Sequence, residues 1–262
     1  MRNPERDGPG VVSGFEDSIT VEALDVTDSA QVVDVVDRTA ARFGRIDAVV
    51  NNAGYGLYGA IDELTEEEVR TQFDTNFMGE WRVCRAVVPH MRAAGRGTII
   101  NVSSLGAKLV APLTGMYSAT KAAIEAMTEC LRYELDRFGI WVMALEPGMY
   151  KSDWQTTSLA VSERLAAGDS NYQASAERAL KAFREMATTR PGSEAVAMVM
   201  ADMCELEQRP PLRLPIGDDA YRLSLARAAA TDDDWERSVM SGPFFEGVEP
   251  VRRDGPSGFS GY

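Results

Sequence analysis

GTIINVSSLGAKLVAPLTGMYSATKAAIEAMTECLRYELDRFGIWVMALEPG, residues 97–148, is the stretch from which the fold follows. Gly97 to Val102 is an unbroken run carrying Thr98, Ile99, Ile100 and Val102, which predicts a buried strand. A loop follows from Ser103 to about Leu113. Thr114 to Phe138 then predicts a helix that stops at Gly139. Ile140 to Leu145 (IWVMAL) is a second apolar strand, closed by Pro147-Gly148. Strands with no polar face are covered on both sides, and two of them joined through a helix run parallel.

The same alternation extends in both directions. Upstream, Ile19 to Leu24 (ITVEAL) predicts a strand that stops at Asp25. Asp28 is placed to cap a helix over Ser29 to Phe43, whose apolar residues Val32, Val33, Val36, Ala40 and Phe43 keep helical spacing, with Gly44 as its stop. Asp47 to Val50 (DAVV) is a short strand leading into Asn51-Asn52-Ala53-Gly54. Thr65-Glu66-Glu67-Glu68 is a capping box, expected to open one long helix to about Ala94 with a kink near Pro89. Downstream, Tyr150 to Thr189 suggests one or two helices on an insertion, Ser193 to Leu206 a helix, and Leu212 to Leu214 a last strand. The expected architecture is α/β: a doubly wound parallel sheet between two helical layers. It forms a single domain over 1–249, with an inserted segment over about 149–192 and a flexible tail over 250–262.

Composition narrows the function. The 262 residues carry a formal net charge of −13, which argues against a nucleic-acid partner and an anionic membrane surface. No apolar run approaches the ~20 residues that span a bilayer, and MRNPERDGPG has no signal-peptide core. Cys84, Cys130 and Cys204 are odd in number and widely spaced, which suits a reducing cytoplasm. His90 is the only histidine, so a multi-histidine metal site is excluded and no metal is expected. Its place after Pro89 suits a surface or helix-end residue better than a member of a hydrolase triad.

Tyr117 and Lys121 lie four apart at the start of a helix, on one face. A phenol normally titrates near ~10, and a neighbouring ammonium lowers that value, so the pair can exchange protons as a general acid/base. Ser104, at the end of the preceding strand, can return over the helix start to hold a carbonyl oxygen. Strand alternation points Ser103 and Ser104 in opposite directions, so only one of them can serve. Asn51-Asn52-Ala53-Gly54 and Pro147-Gly148 both follow strands at the carboxyl edge of the sheet, where α/β folds bind ligands.

LDVTD (24–28), NNAG (51–54), the Asn of DTNFMG (74–79), INVSS (100–104), YSATK (117–121) and EPG (146–148) together resemble the short-chain dehydrogenase/reductase family. The resemblance covers residues 1 to about 225. It implies a Rossmann-like sheet and an oxidoreductase that interconverts a carbonyl and an alcohol with NAD(P). By that resemblance Tyr117 is the proton donor and acceptor, Lys121 binds the nicotinamide ribose and acidifies Tyr117, and Ser104 meets the substrate carbonyl. Asn76 holds a water of the proton relay. Asp25 and Val26 resemble the adenine-binding turn, and Asn52, Ala53 and Gly54 the segment lining the cofactor. Pro147 and Gly148 resemble the turn beside the nicotinamide, with Ser152 where the family often has threonine.

The family opens with a strand, a glycine-rich turn and a helix, and these are missing here. Gly8, Gly10 and Gly14 match a glycine spacing by letter, but no strand precedes them and Pro9 interrupts them, so they suggest a loop. Met1-Arg2-Asn3-Pro4 resembles the end of the family's second strand, which places Arg2 where a base meets the 2′-phosphate of NADP. NADP is therefore the expected cofactor, with NAD as the other option. Either Met1 is internal to a longer chain, the favoured reading, or the chain is this short. As written, the chain is expected to bind cofactor weakly and to be poorly stable.

Tyr55, Leu57, Tyr58, Met149, Tyr150 and Trp154 are candidates to wall an apolar pocket for a hydrophobic carbonyl or alcohol. The text PPLRLPIGDDAYR (210–222) resembles that of hydroxysteroid and retinol dehydrogenase-like members. The helices over about 66–94 and 114–138 resemble those that pair subunits, implying a homodimer or homotetramer. The rival reading is a family fold retained as a binding or regulatory protein without the cofactor cradle.

Overall fold

The computed structural model describes residues 18–248 and, ahead of them, residues 5, 13 and 14. Arg2 with the rest of segment 1–4, Gly8, Gly10 and the tail over 250–262 lie outside the described residues. The described strands are β1 (Ala48–Asn51), β2 (Gly56–Tyr58), β3 (Gly97–Val102), β4 (Ile140–Pro147), β5 (Leu159–Val161) and β6 (Arg213–Ile216). The helices are α1 (Ser29–Phe43), α2 (Glu66–Phe73), α3 (Gly79–Ala94), α4 (Gly115–Leu135), α5 (Glu163–Ala166), α6 (Gln173–Thr188), α7 (Glu194–Cys204), α8 (Asp218–Ala229) and α9 (Asp232–Met240).

Four strands form a parallel sheet in the order β1-β3-β4-β6, with Val49 opposite Ile99, Ile99 opposite Val142 and Leu145 opposite Leu214. Alternation divides its side chains between two cores. Ile99, Ile140 and Val142 face Val32 and Val36 of α1 and Val83, Val87 and Met91 of α3. Ile100, Met143 and Leu145 face Val196, Val199 and Met200 of α7. The result is a three-layer, Rossmann-like α/β fold. Each of these fully buried strand residues contributes about 1.5–3 kcal/mol, so the central strands anchor the domain. Among the described residues no helix is long and apolar enough to cross a membrane.

Local chemistry sets the element ends. Asp28 Oδ1 accepts from the amides of Ala30 and Gln31 at the start of α1. Thr65 and Glu68 form the reciprocal capping box of α2. At the other end of the core, α4 passes through a short 3-10 turn to Gly139, whose φ of 71° reverses the chain into β4.

Two expectations need correction, and one feature has no counterpart among them. Ile19–Leu24 forms no strand: none of the described strands lies alongside it, and a strand exists only through a partner's hydrogen bonds. Leu24 instead packs on the core beside α1 and α3. The long helix expected from Thr65 to Ala94 is divided by a π-helical segment over Asp74–Met78, while Pro89 lies within α3. Finally, β2 and β5 form a separate two-stranded parallel sheet, too short for its period to show in the sequence.

The inserted segment begins and ends at one point. Lys151 bridges Gly192, and the Lys151 amide donates to Pro191 O at 2.8 Å. Above that closure, Tyr58, Leu113, Leu159, Leu165 and Ala176 form a third apolar cluster with Trp154, Tyr172 and Phe183 packed against it.

A Cβ on Gly139 would both need the left-handed backbone and overlap the Gly95 carbonyl oxygen. Gly139→Ala is therefore expected to destabilise the chain by about 1–3 kcal/mol, read as a lower urea midpoint with unchanged slope.

Candidate functional site

The ends of β1, β3 and β4 open into one cavity of ≈ 690 Å³. Ser103, Ser104, Tyr117, Lys121, Asn52, Gly54, Pro147, Gly148 and Ser152 all border it. The expected constellation is thus assembled from four separate parts of the chain.

Ser104 leaves β3 in an extended conformation, and its Oγ accepts from the Gly106 amide at 3.0 Å. That turn brings it to Tyr117: a point one Cβ bond from Gly106 lies 3.3 Å from both Ser104 Oγ and Tyr117 Cε1. Ser103 also borders the cavity, but it is buried and its hydroxyl has no hydrogen-bond partner among the described residues. Tyr117 is half-buried in the first turn of α4, with its ring tilted 56° against Trp154 at 5.4 Å between centroids. One turn later, Lys121 is buried, with Nζ 6.0 Å from the Tyr117 ring centroid. That ammonium donates to Val102 O, the last carbonyl of β3, at 2.7 Å.

Asn76 lies in the π-helical segment and is fully buried. Its Nδ2 donates to Tyr55 O at 2.9 Å and to Thr120 Oγ1 at 3.2 Å, while its Oδ1 accepts from the Tyr55 amide at 3.0 Å. Gln72 Nε2 also donates to Tyr55 O, at 2.9 Å. Asn76 therefore clamps the backbone that follows Asn51-Asn52-Ala53-Gly54. Gly54 packs closely here: a Cβ would lie 3.1 Å from Asn76 Oδ1, a tight contact, and 3.8 Å from Lys121 Nζ.

Other expected residues have different surroundings. Val26 is buried against Gly79 in the core, and Asp25 Oδ1 accepts from the amide and hydroxyl of Thr27; neither borders the cavity, nor does exposed Ala53. Arg82 links this turn to the π segment through Val26 O, Ser29 Oγ and the Asp74 carboxylate. Ser152 Oγ accepts from the Trp154 amide. Tyr55, Met149, Tyr150 and Trp154 line the cavity as expected. Leu57 and Tyr58 do not: both are buried in β2, and Tyr58 turns into the third cluster, where it donates to Ala176 O at 3.1 Å. Phe183, Met186 and Leu223 are wall residues contributed by helices that the sequence does not place. His90 pairs with Asp37 at 2.8 Å, apart from the cavity.

Two buried carboxyls lie around the site without a signal in the sequence beyond spacing. Glu146, immediately before Pro147, is fully buried, and both its oxygens accept from Lys108 Nζ at 2.6 Å, which ties the loop after Ser104 to β4. Glu80, one turn after Asn76, is 3% exposed, and neither of its oxygens has a hydrogen-bond partner among the described residues. Burial pushes its carboxyl up to about 8, with the Lys121 ammonium acting in the opposite sense. Cys84, a turn further on, is pushed up to about 12 by burial and by Glu80.

A family model described as short chain dehydrogenase matches residues 11–163. A 3-ketodihydrosphingosine reductase of Bacteroides thetaiotaomicron is 38% identical over 196 residues, 74% of this chain and 71% of that protein. A short-chain dehydrogenase from Streptomyces avermitilis superimposes with a TM-score of 0.73 at 33% identity, over 92% of this chain and 86% of that one. ElxO with NADP bound shares the fold at 24% identity and a TM-score of 0.67, over 85% of this chain and 86% of that one.

The state of Glu80 has a consequence for stability. Its folded form keeps a proton that the unfolded chain has released, so stability falls as pH rises from the ordinary carboxylate range to about 8. Glu80→Gln is expected to remove a decline on the order of 3 kcal/mol across that window. Urea melts of both proteins at about pH 5 and about pH 8.5 check it, and parallel declines would count against it.

Proposed function

The chain belongs to the short-chain dehydrogenase/reductase family of oxidoreductases, and from that premise we propose that it interconverts a carbonyl and an alcohol on a small apolar substrate with a nicotinamide coenzyme. The observation that carries this reading is that Ser104 Oγ and Tyr117 Cε1 each lie 3.3 Å from one point beside Gly106, with Lys121 a turn behind, all on one cavity.

The residues present fit such a coenzyme at its nicotinamide end. The Ser103 and Ser118 hydroxyls are buried, border the cavity and have no hydrogen-bond partner among the described residues, and Gly54 leaves room beside Lys121. Tyr117 and Lys121 would hold the ribose, Asn52, Ala53 and Gly54 would run along it, and Pro147, Gly148 and Ser152 would flank the ring. Asp25 and Val26 belong to the adenine end of this proposal, and Arg2 is the basis for NADP over NAD. A nicotinamide bound there supplies or accepts the hydride.

The chain's own groups handle the proton. In reduction, the Tyr117 hydroxyl gives its proton to the substrate oxygen, and in oxidation the phenolate takes it back. The Ser104 hydroxyl donates to the same oxygen and fixes its position. The buried Lys121 ammonium, held by Val102 O, stabilises the phenolate in a site where water screens little. Tyr55, Trp154 and Phe183 give the cavity its apolar character. Segment 151–192, closed at its base by the Lys151–Gly192 bridge, serves as the cap over the substrate. Trp81 on α3 and Tyr133 on α4 are exposed on the two long helices, which favours a homodimer or homotetramer joined there.

Tyr117→Phe is expected to lower turnover by about 100-fold or more, and Ser104→Ala by a smaller factor. Coenzyme absorbance, followed with NADPH and a panel of apolar ketones, is the measurement. Undiminished turnover in Tyr117→Phe would sink this reading.

A further inference from the structure

Among the described residues, the charged side chains that border the cavity are Lys121, Asp219 and Arg190. Two of them are anchored by backbone groups. Lys121 Nζ donates to Val102 O at 2.7 Å. Asp219 Oδ2 accepts from the Met149 amide at 3.0 Å, and its Oδ1 accepts from the Ala220 amide at 2.9 Å. Arg190 differs. Its Nη1 lies 3.7 Å from Asp219 Oδ2, an ion pair too long for a hydrogen bond. Its Nε is buried and has no hydrogen-bond partner among the described residues. The cavity therefore holds a guanidinium whose charge is partly balanced and whose donors are unused.

Both ends of this pair are fixed in place. Arg190 precedes Pro191, whose carbonyl accepts from the Lys151 amide where the inserted segment closes. Asp219 packs under the Pro147-Gly148 turn so tightly that a Cβ on Gly148 would overlap its carboxylate. Around them the wall is apolar, with Trp154, Phe183, Met186 and Leu223.

We infer that Arg190 is a specificity-determining residue: the cavity takes an apolar carbonyl or alcohol compound that also carries a carboxylate, and the carboxylate oxygens accept from the Arg190 guanidinium. This deepens the function proposed above and rests on it in taking the cavity as the substrate site.

Charge alone does not favour an anion here. The chain carries a net charge of −13, which repels one at long range, and Asp219 offsets part of the guanidinium's attraction close by. The gain comes instead from directed hydrogen bonds. A guanidinium presents its N–H groups in a rigid planar fork that matches the two oxygens of a carboxylate. In an apolar wall that excludes water, such bonds discriminate strongly, because an acid without a donor loses its hydration and receives nothing in return. The apolar side chains hold the body of the substrate and Arg190 its acid end.

The test is calorimetric titration of the whole chain without coenzyme, at about pH 7 where a free carboxylic acid is ionised, with octanoate and octanol as probes. Octanoate is expected to bind tighter than octanol by about tenfold or more. Arg190→Met should level the two, and Arg190→Lys, which keeps the charge and loses the fork, should retain only a smaller preference. Asp219→Asn removes the competing charge and keeps an acceptor for the Met149 amide, so it should tighten octanoate several-fold and leave octanol unchanged. That variant decides if the Arg190 variants do not fold. Equal binding of the two probes, no binding of octanoate up to its solubility limit, or a preference that survives Arg190→Met overturns the proposal. So does a parallel loss of both probes in Arg190→Met, the mark of a merely structural arginine. If Arg190→Met weakens NADPH as much as octanoate, the guanidinium serves the coenzyme's phosphates and the proposal is likewise overturned. These are binding measurements, so undiminished turnover in Tyr117→Phe would remove the reaction assigned above without altering their outcome.

Discussion

A buried ammonium joins α4 to the sheet. Lys121 Nζ donates to Val102 O at 2.7 Å, where β3 ends and the Ser103-Ser104 turn begins. An ammonium taken out of water is costly unless it is partnered, so this contact fixes where α4 lies relative to β3. Tyr117 is one turn away on the same helical face, and Ser104 is two residues along from Val102. Their meeting is a consequence of that anchor. The Asn76 clamp on Tyr55 performs the corresponding task on the other side, holding the loop after β1 where Gly54 lies close to Lys121.

Two buried carboxyls near this anchor illustrate different solutions to the same desolvation problem. Glu146 has its charge met by Lys108, and the pair fastens the loop after Ser104 to the last residues of β4. Glu80 has no such partner among the described residues, and burial holds its carboxyl above the ordinary range instead. Burying a carboxyl without a partner is a stability cost, and such costs concentrate at functional sites. The inserted segment is tied down by a third carboxyl, Glu63, which accepts from the Ser170 hydroxyl and from the Asn171 amide and is held below the usual carboxylate range by them. A further thread runs from Glu68, which closes the capping box of α2 and also accepts from the Glu163 amide.

Much of this molecule is legible in its residues. The β-branched runs of β3 and β4, the caps at Asp28 and Thr65, and the stops at Gly44 and Gly139 are local signals, and each element begins and ends close to where they place it. The four-residue interval between Tyr117 and Lys121 and the position of Ser104 at a strand end are also local, because a helix repeats every 3.6 residues wherever it is put. Where a reading needed a distant partner it failed. Ile19–Leu24 has strand composition but no neighbour to bond, and Leu57 and Tyr58 look like pocket residues but are drawn into β2 by β5, about a hundred residues away.

What the sequence by itself determined is the α/β class, the parallel sheet, and the residue types offered for the proposed proton chemistry, since helical and strand periodicity and side-chain acidity need no third dimension. Only the tertiary structure decided that Ser104 and Tyr117 converge beside one point, that Asn76 clamps a backbone segment, and that Glu80 is buried without a partner among the described residues. Those facts depend on which atoms exclude water from which others, and burial is a property of the packed whole that no single stretch of chain contains.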